Sequence, residues 1–490
     1  MIPDNNGFMG NRKDHKSVRS LKFRTGAWLE ERDMILSLDP DWAVSEYNLG
    51  THRVLTDKDI RKILQNPVSS PGIRELAVGK KQVALIMDDI SRPTPANRIL
   101  PYVLKELRLA GIPDKSIRLV IAVGAHRPLS KKEMILKFGA DIVKRFPIRN
   151  HNFACQSLKY TGISSHGVPI WLDEWVADAD LKIGIGSIIP HDAAGFSGGG
   201  KLIVPGVSGF PTLLSLHALF EKRGRGVLKA PADKLDFRIC IEQIARRTGL
   251  DFIINCVVQK ERELAGLFAG DMELAYQKGA VFARSLYSFE ISKDMADKTD
   301  IVLINSYPLD VDPDQLLKAA APAVAFPNAQ VVLVNAAIDE NMYRGINVKS
   351  KSLTGKKGYR AGRSFLPVSS GPGKRMIRDI IRKSRVIPLA TQIPPVYKRL
   401  RDMQRKYSVF AEECKGRDKQ WHGSRRSAIQ SKDDLIVLSP RLCETDFYRR
   451  FPDGLLFRTW DETKAALNCF HKKPRVVALH SGTLQIPDLV

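Results

Sequence analysis

The sequence VALIMDDISRPTPANRILPYVLKELRLAGIPDKSIRLVIAV, residues 83–123, decides the fold class. Val83–Met87 is an apolar run followed by two aspartates, which is typical of a buried strand. Asn97–Ala110 carries apolar side chains at helical spacing, and a Gly-Ile-Pro sequence then ends the helix. Arg118–Val123 is a second apolar run. This strand–helix–strand unit predicts a parallel sheet that binds its ligand at the carboxyl ends of the strands.

The same alternation continues along the chain and predicts an α/β fold. We expect two α/β domains with mainly parallel sheets and an active site in the cleft between them. Residues 1–25 are expected to form a loose basic tail, 26–288 a cofactor-binding catalytic domain, and 289–490 a second α/β domain with a basic insertion near 341–385. The other predicted elements are strands at Leu181–Ile185, Phe252–Val258, Ile301–Asn305, Gln330–Val334, Val386–Leu389, Leu435–Leu438 and Arg475–Leu479, and helices at Pro211–Glu221, Met272–Leu286, Pro313–Ala321 and Asp461–Cys469.

The composition is that of a globular protein with an unusual excess of positive charge. Of 490 residues, 43% are hydrophobic, and 77 Lys and Arg against 53 Asp and Glu give a net charge of +24. This charge indicates an anionic partner without choosing among nucleic acid, membrane and acidic ligand. Residues 341–385 hold thirteen Lys and Arg against one carboxylate, and residues 397–426 hold ten against four. We interpret both segments as solvated surface.

Other classes of protein do not fit the sequence. The first twenty residues lack an apolar stretch, so we expect no secretory signal there. The longest uncharged run, residues 202–220, contains prolines and glycines, and a membrane span needs about 20 apolar residues. The six cysteines lie far apart without a C-x-x-C pair, which favours reduced thiols in a cytoplasmic protein. They are Cys155, Cys240, Cys256, Cys414, Cys443 and Cys469.

Polar residues directly follow the first two predicted strands. Asp89-Ile-Ser-Arg92 offers an acid and an arginine three residues apart. Such a pair can bind a hydroxyl group and an anion together, or it can brace a turn. Gly124-Ala-His126-Arg-Pro follows the next strand, where a histidine can act as a general acid or base, or cap a helix.

The most informative stretch is IPHDAAGFSGGGKLIVPG, residues 189–206. The spacing Gly195-x-x-x-x-Gly200-Lys201 is similar to a phosphate-binding P-loop, but Leu202 stands where that motif needs Ser or Thr, and no helix is predicted next. The glycines still let backbone N–H groups approach a phosphate. Lys201 is either a desolvated amine suited to covalent attachment or a solvated lysine beside a flexible turn.

Two further positions lie on predicted helices. His217 follows Lys201 by sixteen residues, and a lone histidine on an apolar helix is more typical of a core residue than of a ligand. Gln315 and Lys318 lie one turn apart after the strand at 301–305. They suit a carboxylate-bearing substrate, or they form an exposed first turn.

Taken together, these motifs resemble the lactate racemase family, the 2-hydroxyacid racemases and epimerases that use a nickel-pincer nucleotide. The resemblance is close over about residues 80–220 and looser over 299–320. It depends on the order and spacing of D-x-S-R-P-T-P, G-A-H-R-P, H-D…G-G-G-K-x-x-x-P-G, a histidine sixteen residues after that lysine, and Y-P-x-D…Q-x-x-K.

The resemblance implies a role for each matching residue. Lys201 matches the lysine to which the cofactor, Ni(II)-pyridinium-3,5-bisthiocarboxylate mononucleotide, can be tethered. The implied roles are acid/base catalysis for His126 and His191, nickel ligation for His217, cofactor binding for Asp89, Arg92, Lys201 and Pro205, and substrate binding for Gln315 and Lys318.

The implied reaction moves the C2 hydrogen of a hydroxy acid as hydride to and from the cofactor, because removing it as a proton beside a carboxylate is hard. The two histidines exchange the hydroxyl proton. The expected partners are a small anionic 2-hydroxy acid and the cofactor-synthesis enzymes, with no nucleic acid or membrane. Asp314 stands where lactate-acting members usually carry an aromatic residue, which leaves the particular acid open.

Two alternatives stay open beside this resemblance. A P-loop-like nucleotide-dependent phosphotransferase predicts magnesium-dependent ATP turnover that is lost in Lys201→Ala. A non-enzymatic basic nucleic-acid-binding protein predicts binding that weakens steeply with salt, although the sequence has no basic stripe interleaved with aromatic residues.

Overall fold

The structure is a computed structural model that describes residues 12–15, 20–153, 157–191, 194–220, 236–312, 315–336, 435–444, 447–448 and 454–490. The basic segments at 341–385 and 397–426, the predicted strand Val386–Leu389, and Cys155 and Cys414 lie outside these residues. Within the described part of the chain, no helix combines the length and the apolar character needed to cross a membrane.

The strands in this part of the chain, in order, are β1 Arg12–His15, β2 Ser20–Thr25, β3 Arg32–Ser37, β4 Ala43–Tyr47, β5 Val83–Asp88, β6 Ile117–Ala122, β7 Ile148–Asn150, β8 Leu158–Ile163, β9 Pro169–Asp173, β10 Leu181–Ser187, β11 Pro190–His191, β12 Gly195–Phe196, β13 Phe252–Val258, β14 Leu264–Gly270, β15 Ser288–Ile291, β16 Ile301–Asn305, β17 Gln330–Val334, β18 Ile436–Leu438, β19 Leu455–Phe457, β20 Arg475–Leu479 and β21 Ile486–Leu489. Each predicted strand within the described residues is present, with its ends shifted by no more than two positions.

The helices are α1 Asp57–Gln65, α2 Ile73–Ala77, α3 Ala96–Leu109, α4 Lys131–Phe138, α5 Ala140–Arg145, α6 Glu174–Ala177, α7 Phe210–Phe220, α8 Asp236–Arg247, α9 Leu274–Tyr287, α10 Lys293–Asp297, α11 Leu316–Ala319 and α12 Trp460–Asn468. Short 3-10 helices lie at Asp114–Ser116, Gly199–Leu202, Lys260–Arg262 and Ala321–Ala325.

Two large sheets organise these elements. The first has the strand order β14-β13-β10-β5-β6-β7, and the second has the order β1-β4-β20-β16-β17-β18-β19. Every neighbouring pair is parallel except β13–β14 and β1–β4 at the sheet edges. The prediction of a mixed α/β fold with mainly parallel sheets is therefore confirmed.

The apolar runs that define the strands also build the cores. β5 is buried along its whole length and lies in the centre of the first sheet, within one continuous core. In the second sheet, Ile301 and Leu303 pack on one face, while Val302 and Ile304 pack on the other, as the alternation of side chains along a strand requires.

The N-terminal region differs from the prediction in three places. Arg12–His15, inside the expected tail, form β1, which pairs antiparallel with β4. Residues 20–25, expected in a loose tail, form β2, and its alternate residues Leu21 and Phe23 are buried. The tail prediction is wrong for these residues, because their apolar side chains lie on one face of a hairpin with β3 and can pack. β4 pairs in parallel with β20, so this strand from the predicted 26–288 domain belongs to the second sheet. The boundary near residue 288 stays a prediction.

The loop after β16 connects the two parts of the fold. Leu309 and Val311 are buried in the core of the first sheet. Between them, the Asp310 carboxylate accepts hydrogen bonds from the backbone N–H groups of Gly26 (2.6 Å) and Ala27 (3.1 Å). Burial raises the pKa of Asp310 to about 6, although these N–H donors oppose the shift.

Candidate active site

Two neighbouring parallel strands bring Asp89 and His126 together. Asp88, the last residue of β5, is in register with Ala122, the last residue of β6, so the loops that follow begin side by side. His126 Nδ1 lies 2.6 Å from Asp89 Oδ2 and donates a hydrogen bond to it. The Asp89 side chain is buried, whereas the His126 side chain is one-third exposed. The strand-end prediction thus leads to an imidazole–carboxylate pair with one accessible face.

Ser91 joins this pair to Arg92. Its backbone N–H and its hydroxyl both donate to Asp89 Oδ1, at 2.8 and 2.5 Å, and Arg92 Nη1 donates to the Ser91 hydroxyl at 2.9 Å. Burial raises the pKa of Asp89, but His126, Arg92 and Ser91 more than offset this effect and hold the pKa below its ordinary range. Asp89 is therefore an anion near neutral pH. The sequence analysis missed Ser91, although it lies inside the D-x-S-R motif.

The loop that carries His126 packs against the loop that follows Lys201. Gly124 donates from its backbone N–H to the carbonyl of Gly206 at 2.9 Å. A side chain on Gly124, which has a φ of +54°, would contact the Pro205 carbonyl at 3.4 Å. Pro205 is thus next to the loop that carries His126, and its role at the site stays a prediction.

His191 and Lys201 form a second pair. His191 is the last residue of β11 in a short hairpin with β12, and Lys201 lies on the 3-10 helix Gly199–Leu202. The amine of Lys201 is 3.2 Å from His191 Nε2 and 5.8 Å from the centre of the Phe237 ring. His191 Nδ1 accepts a hydrogen bond from the backbone N–H of Ala194 at 3.3 Å.

The glycine-rich loop before Lys201 is packed against protein rather than open to a phosphate. The Gly199 N–H donates to Asn255 Oδ1 at 2.7 Å, and the Lys201 N–H points to the Gly198 carbonyl. A side chain on Gly200 would contact Ala245 of α8 at 3.0 Å. The Gly199 N–H is therefore engaged within the protein, and the small size of Gly200 serves close packing. These contacts disfavour a phosphate at Gly199, and the phosphotransferase alternative stays a prediction.

Arg238 supports this loop from below. It is fully buried on α8, donates from Nη1 to the Gly198 carbonyl at 3.0 Å, and pairs with Glu242 at 2.6 Å. Its guanidinium stacks on the Tyr276 ring at 3.4 Å. Such a buried cation holds the backbone that leads to Lys201 in one conformation.

The remaining predicted residues are less fully defined. α7 includes His217, as predicted, but the side chain of His217 lies outside the described part of the structure. No group of three His, Cys, Asp or Glu side chains that could hold a metal occurs among the side chains that are described.

The helix predicted at Pro313–Ala321 is shorter than expected. α11 begins at Leu316, so Gln315 precedes it, and residues 313–314 lie outside the described part. A 3-10 helix follows it because Pro322 has no N–H to continue an α-helix. Gln315 is buried and donates to Asp312 at 2.9 Å, rather than to the Asp89–His126 pair, and Lys318 is partly exposed on α11.

The protein has an α/β fold, and two histidines and a lysine amine lie in the segments that follow the strands β6 and β10. Residues 30–226 match the family model of the lactate racemase N-terminal domain. The chain is 34% identical to the lactate racemase of Lactiplantibacillus plantarum, over 59% of this chain and 68% of the relative. It is 31% identical to the lactate racemase of Thermoanaerobacterium thermosaccharolyticum, over 59% of this chain and 67% of the relative.

Solved structures share the fold. The apoprotein of lactate racemase from T. thermosaccharolyticum is similar with a TM-score of 0.63 and 19% identity, covering 96% of this chain and all of that one. A protein from Thermotoga maritima is similar with a TM-score of 0.56 and 16% identity, covering 90% of this chain and all of that one. The chain belongs to the lactate racemase family, and the class of this family is that of the isomerases.

Proposed function

We propose that the protein is a racemase or epimerase of a small anionic 2-hydroxy acid. The proposal is carried by the 2.6 Å hydrogen bond between His126 and Asp89, at a sheet edge whose loops also hold the His191–Lys201 pair. The relatives are lactate racemases, so lactate is the first substrate to test. We further propose that the site lies in a cleft between two α/β domains and that the protein works in the cytoplasm.

His126 is suited to exchange the hydroxyl proton of the substrate. Because Asp89 is anionic and accepts from Nδ1, the neutral imidazole keeps its proton on Nδ1 and leaves the lone pair of Nε2 free for a proton. After protonation, the Asp89 carboxylate stabilises the imidazolium. The same ring therefore serves as base in one direction and as acid in the other.

His191 is held in the opposite tautomer. Ala194 donates to Nδ1, so the neutral ring carries its proton on Nε2, which faces the Lys201 amine. The Lys201 amine, which attacks an electrophile only in its unprotonated form, lies 3.2 Å from that nitrogen. We propose that His191 orients this amine and later acts as the second acid/base residue of the reaction.

The substrate chemistry explains why two such histidines are needed. The α-proton of a hydroxycarboxylate is hard to remove because the carboxylate is already negative, whereas loss of hydride from C2 together with the hydroxyl proton leaves a planar 2-oxo acid. A nickel-pincer nucleotide, when bound, would supply the acceptor for that hydride. The two histidines each handle the hydroxyl proton for one enantiomer, and either face of the planar acid can then regain the hydrogen.

The residues present fit such a cofactor. The Lys201 amine suits a covalent tether. Arg92 uses Nη1 for Ser91, and because a guanidinium offers five donors, it can bind an anionic group as well. Asp89 and Pro205 lie on two loops that both contact the loop carrying His126. We propose His217 as the nickel ligand, because imidazole and sulfur donors both suit this metal. Cofactor-synthesis enzymes would supply the cofactor.

Gln315 and Lys318 are proposed to bind the substrate carboxylate. Lys318 provides a cation on α11, and Gln315 has one amide hydrogen bond to Asp312, while its Oε1 is buried without a hydrogen bond among the described residues. An amide and an ammonium group together match a carboxylate and an adjacent hydroxyl group.

The test is racemisation by protein produced together with the cofactor-synthesis enzymes. We expect interconversion of the enantiomers of at least one acid in a panel of 2-hydroxy acids, starting with lactate, and about one nickel ion per chain. The Lys201→Ala, His217→Ala double variant should lose both nickel and activity. Equal nickel in the two proteins, or no racemisation of any acid by nickel-loaded protein, would refute the proposal.

A further inference from the structure

A buried lysine lies directly beneath the Asp89–Arg92 loop. Lys137, near the end of α4, is fully buried, and its ammonium donates to the backbone carbonyl of Asp89 at 2.5 Å and to that of Arg92 at 2.8 Å. It also forms an ion pair with Asp88 at 2.9 Å and lies 5.2 Å from the centre of the Trp28 ring. A buried lysine is rare and is found where its donors are all engaged.

Asp88 extends this arrangement to a third loop. Its second carboxylate oxygen accepts from the Thr94 hydroxyl at 2.5 Å and from the backbone N–H of Ser187 at 3.0 Å. Thr94 lies at the far end of the Asp89–Arg92 loop. Ser187 is the last residue of β10, and the chain reaches His191 four residues later. The Asp88–Lys137 pair therefore contacts the loop that carries Asp89 and the end of the strand that leads to His191.

We infer that Lys137, paired with Asp88, is a positioning residue for the acid/base site, and this inference rests on the proposed function. Its two hydrogen bonds to carbonyl groups set the path of the backbone from 89 to 92. That path decides whether the Asp89 carboxylate meets His126 Nδ1 and whether Arg92 reaches Ser91. Lys137 positions this backbone through its hydrogen-bond donors. A group that only neutralised the charge of Asp88 would not position it.

A charge-neutral double variant separates these two roles. In Lys137→Met the Asp88 charge would be left buried and unpaired, which destabilises a fold whatever the lysine does. Asp88→Asn/Lys137→Met removes both charges, and a neutral replacement of a buried pair commonly keeps its stability. The carbonyl groups of Asp89 and Arg92 nevertheless lose their donor. We expect this variant to fold and its kcat to fall between about 10- and 100-fold, since displacement of a reacting group by about 1 Å costs that much.

A proton resonance gives a second readout that does not require turnover. The His126 Nδ1 proton, in a 2.6 Å hydrogen bond to Asp89, should give a downfield signal, assigned by its loss in His126→Gln. We expect the signal to be lost in Asp88→Asn/Lys137→Met and to return in part in Asp88→Asn/Lys137→Gln, whose amide restores a donor. Lys182→Met is the matched control, because Lys182 is a buried lysine at the opposite end of the sheet, bound to the Ala179 carbonyl. It should keep the signal.

The outcomes are distinguishable. A folded Asp88→Asn/Lys137→Met variant that keeps the signal and has kcat within threefold of the wild-type value would overturn the inference. If the signal is lost but wild-type protein racemises no acid, the positioning role stands and the proposed function fails. If Asp88→Asn/Lys137→Met does not fold, Asp88→Asn/Lys137→Gln is the deciding variant. We expect it to fold and to give a weaker His126 signal than the wild type. An unchanged signal would overturn the inference.

Discussion

Replacing Asp89 by asparagine probes the acid/base pair most sharply. In this variant the amide oxygen takes the place of Asp89 Oδ1 and still accepts hydrogen bonds from Ser91. The amide NH₂ group then takes the place of Oδ2 and faces His126 Nδ1. Because an NH₂ group only donates, the neutral imidazole must move its proton from Nδ1 to Nε2. His126 would then present a proton where the reaction in one direction needs a base.

The structure sets the size of this effect. The substitution keeps the shape and the Ser91 hydrogen bonds, so loss of the correct tautomer is the main change. In a comparable imidazole–carboxylate pair such a change costs about 10⁴ in kcat, and we expect a fall between about 10² and 10⁴ here, or about 3 to 5 kcal/mol of activation free energy. KM should change less, because Asp89 is buried behind His126.

The assay is the initial rate of racemisation at pH 7, measured from each enantiomer with proteins of equal nickel content. Glu46→Gln is the matched control, since Glu46 accepts from His480 Nε2 at 2.7 Å in the second sheet, and its kcat should stay within about threefold of wild type. An Asp89→Asn rate within threefold of wild type at equal nickel content would refute the reasoning about the tautomer.

Three other predictions concern Gly199, Asp310 and Lys201. Gly199→Ala should destabilise the fold by about 1–3 kcal/mol in urea titrations, because a Cβ at this φ of +56° would overlap Arg238, whereas Gly79→Ala, with a φ of +74° and open space around it, should cost only about 1 kcal/mol. The pKa of Asp310 is raised from 3.8 to about 6, so the protonated form is favoured in the fold. Stability should therefore fall by about 2 kcal/mol as pH rises from 4 to 7, and Asp310→Asn should remove this contribution in denaturant titrations at the two pH values. Lys201→Arg keeps a long nitrogen-bearing side chain but cannot form a tether. The intact mass of denatured nickel-loaded wild type should therefore exceed that of the bare chain, whereas the variant should show no added mass; an adduct on the variant would contradict the proposed tether.

The site residues that could be predicted are those that follow a strand directly. The apolar runs at Val83–Asp88 and Ile117–Ala122 predict buried strands. Parallel pairing of these strands places Asp89 and His126 at the same edge of the sheet. The 2.6 Å hydrogen bond between the two side chains is shown by the structure and not by the sequence. The proximity of Lys201 to His191 could also be predicted, because both residues lie within one short stretch of sequence.

Other features depend on contacts that local sequence does not encode. Lys137 belongs to an ordinary amphipathic helix, and nothing in its neighbours indicates that it is buried under a loop 45 positions earlier in the chain. β4 completes the second sheet because it fits beside β20, which lies more than 400 residues later. The glycines at 198–200 have the composition of a phosphate loop, and only their packing against α8 and Asn255 reveals their use.

The most direct test of the account is the fate of the C2 hydrogen. A 2-hydroxy acid that the nickel-loaded protein racemises, deuterated at C2, should be converted in unlabelled water to its enantiomer with most of the deuterium still at C2, as measured by mass spectrometry and proton NMR. Retention would agree with transfer as hydride and with histidines that handle only the hydroxyl proton. Complete exchange of deuterium with water would contradict the account, because it would mean that a base of the protein removes the C2 hydrogen as a proton.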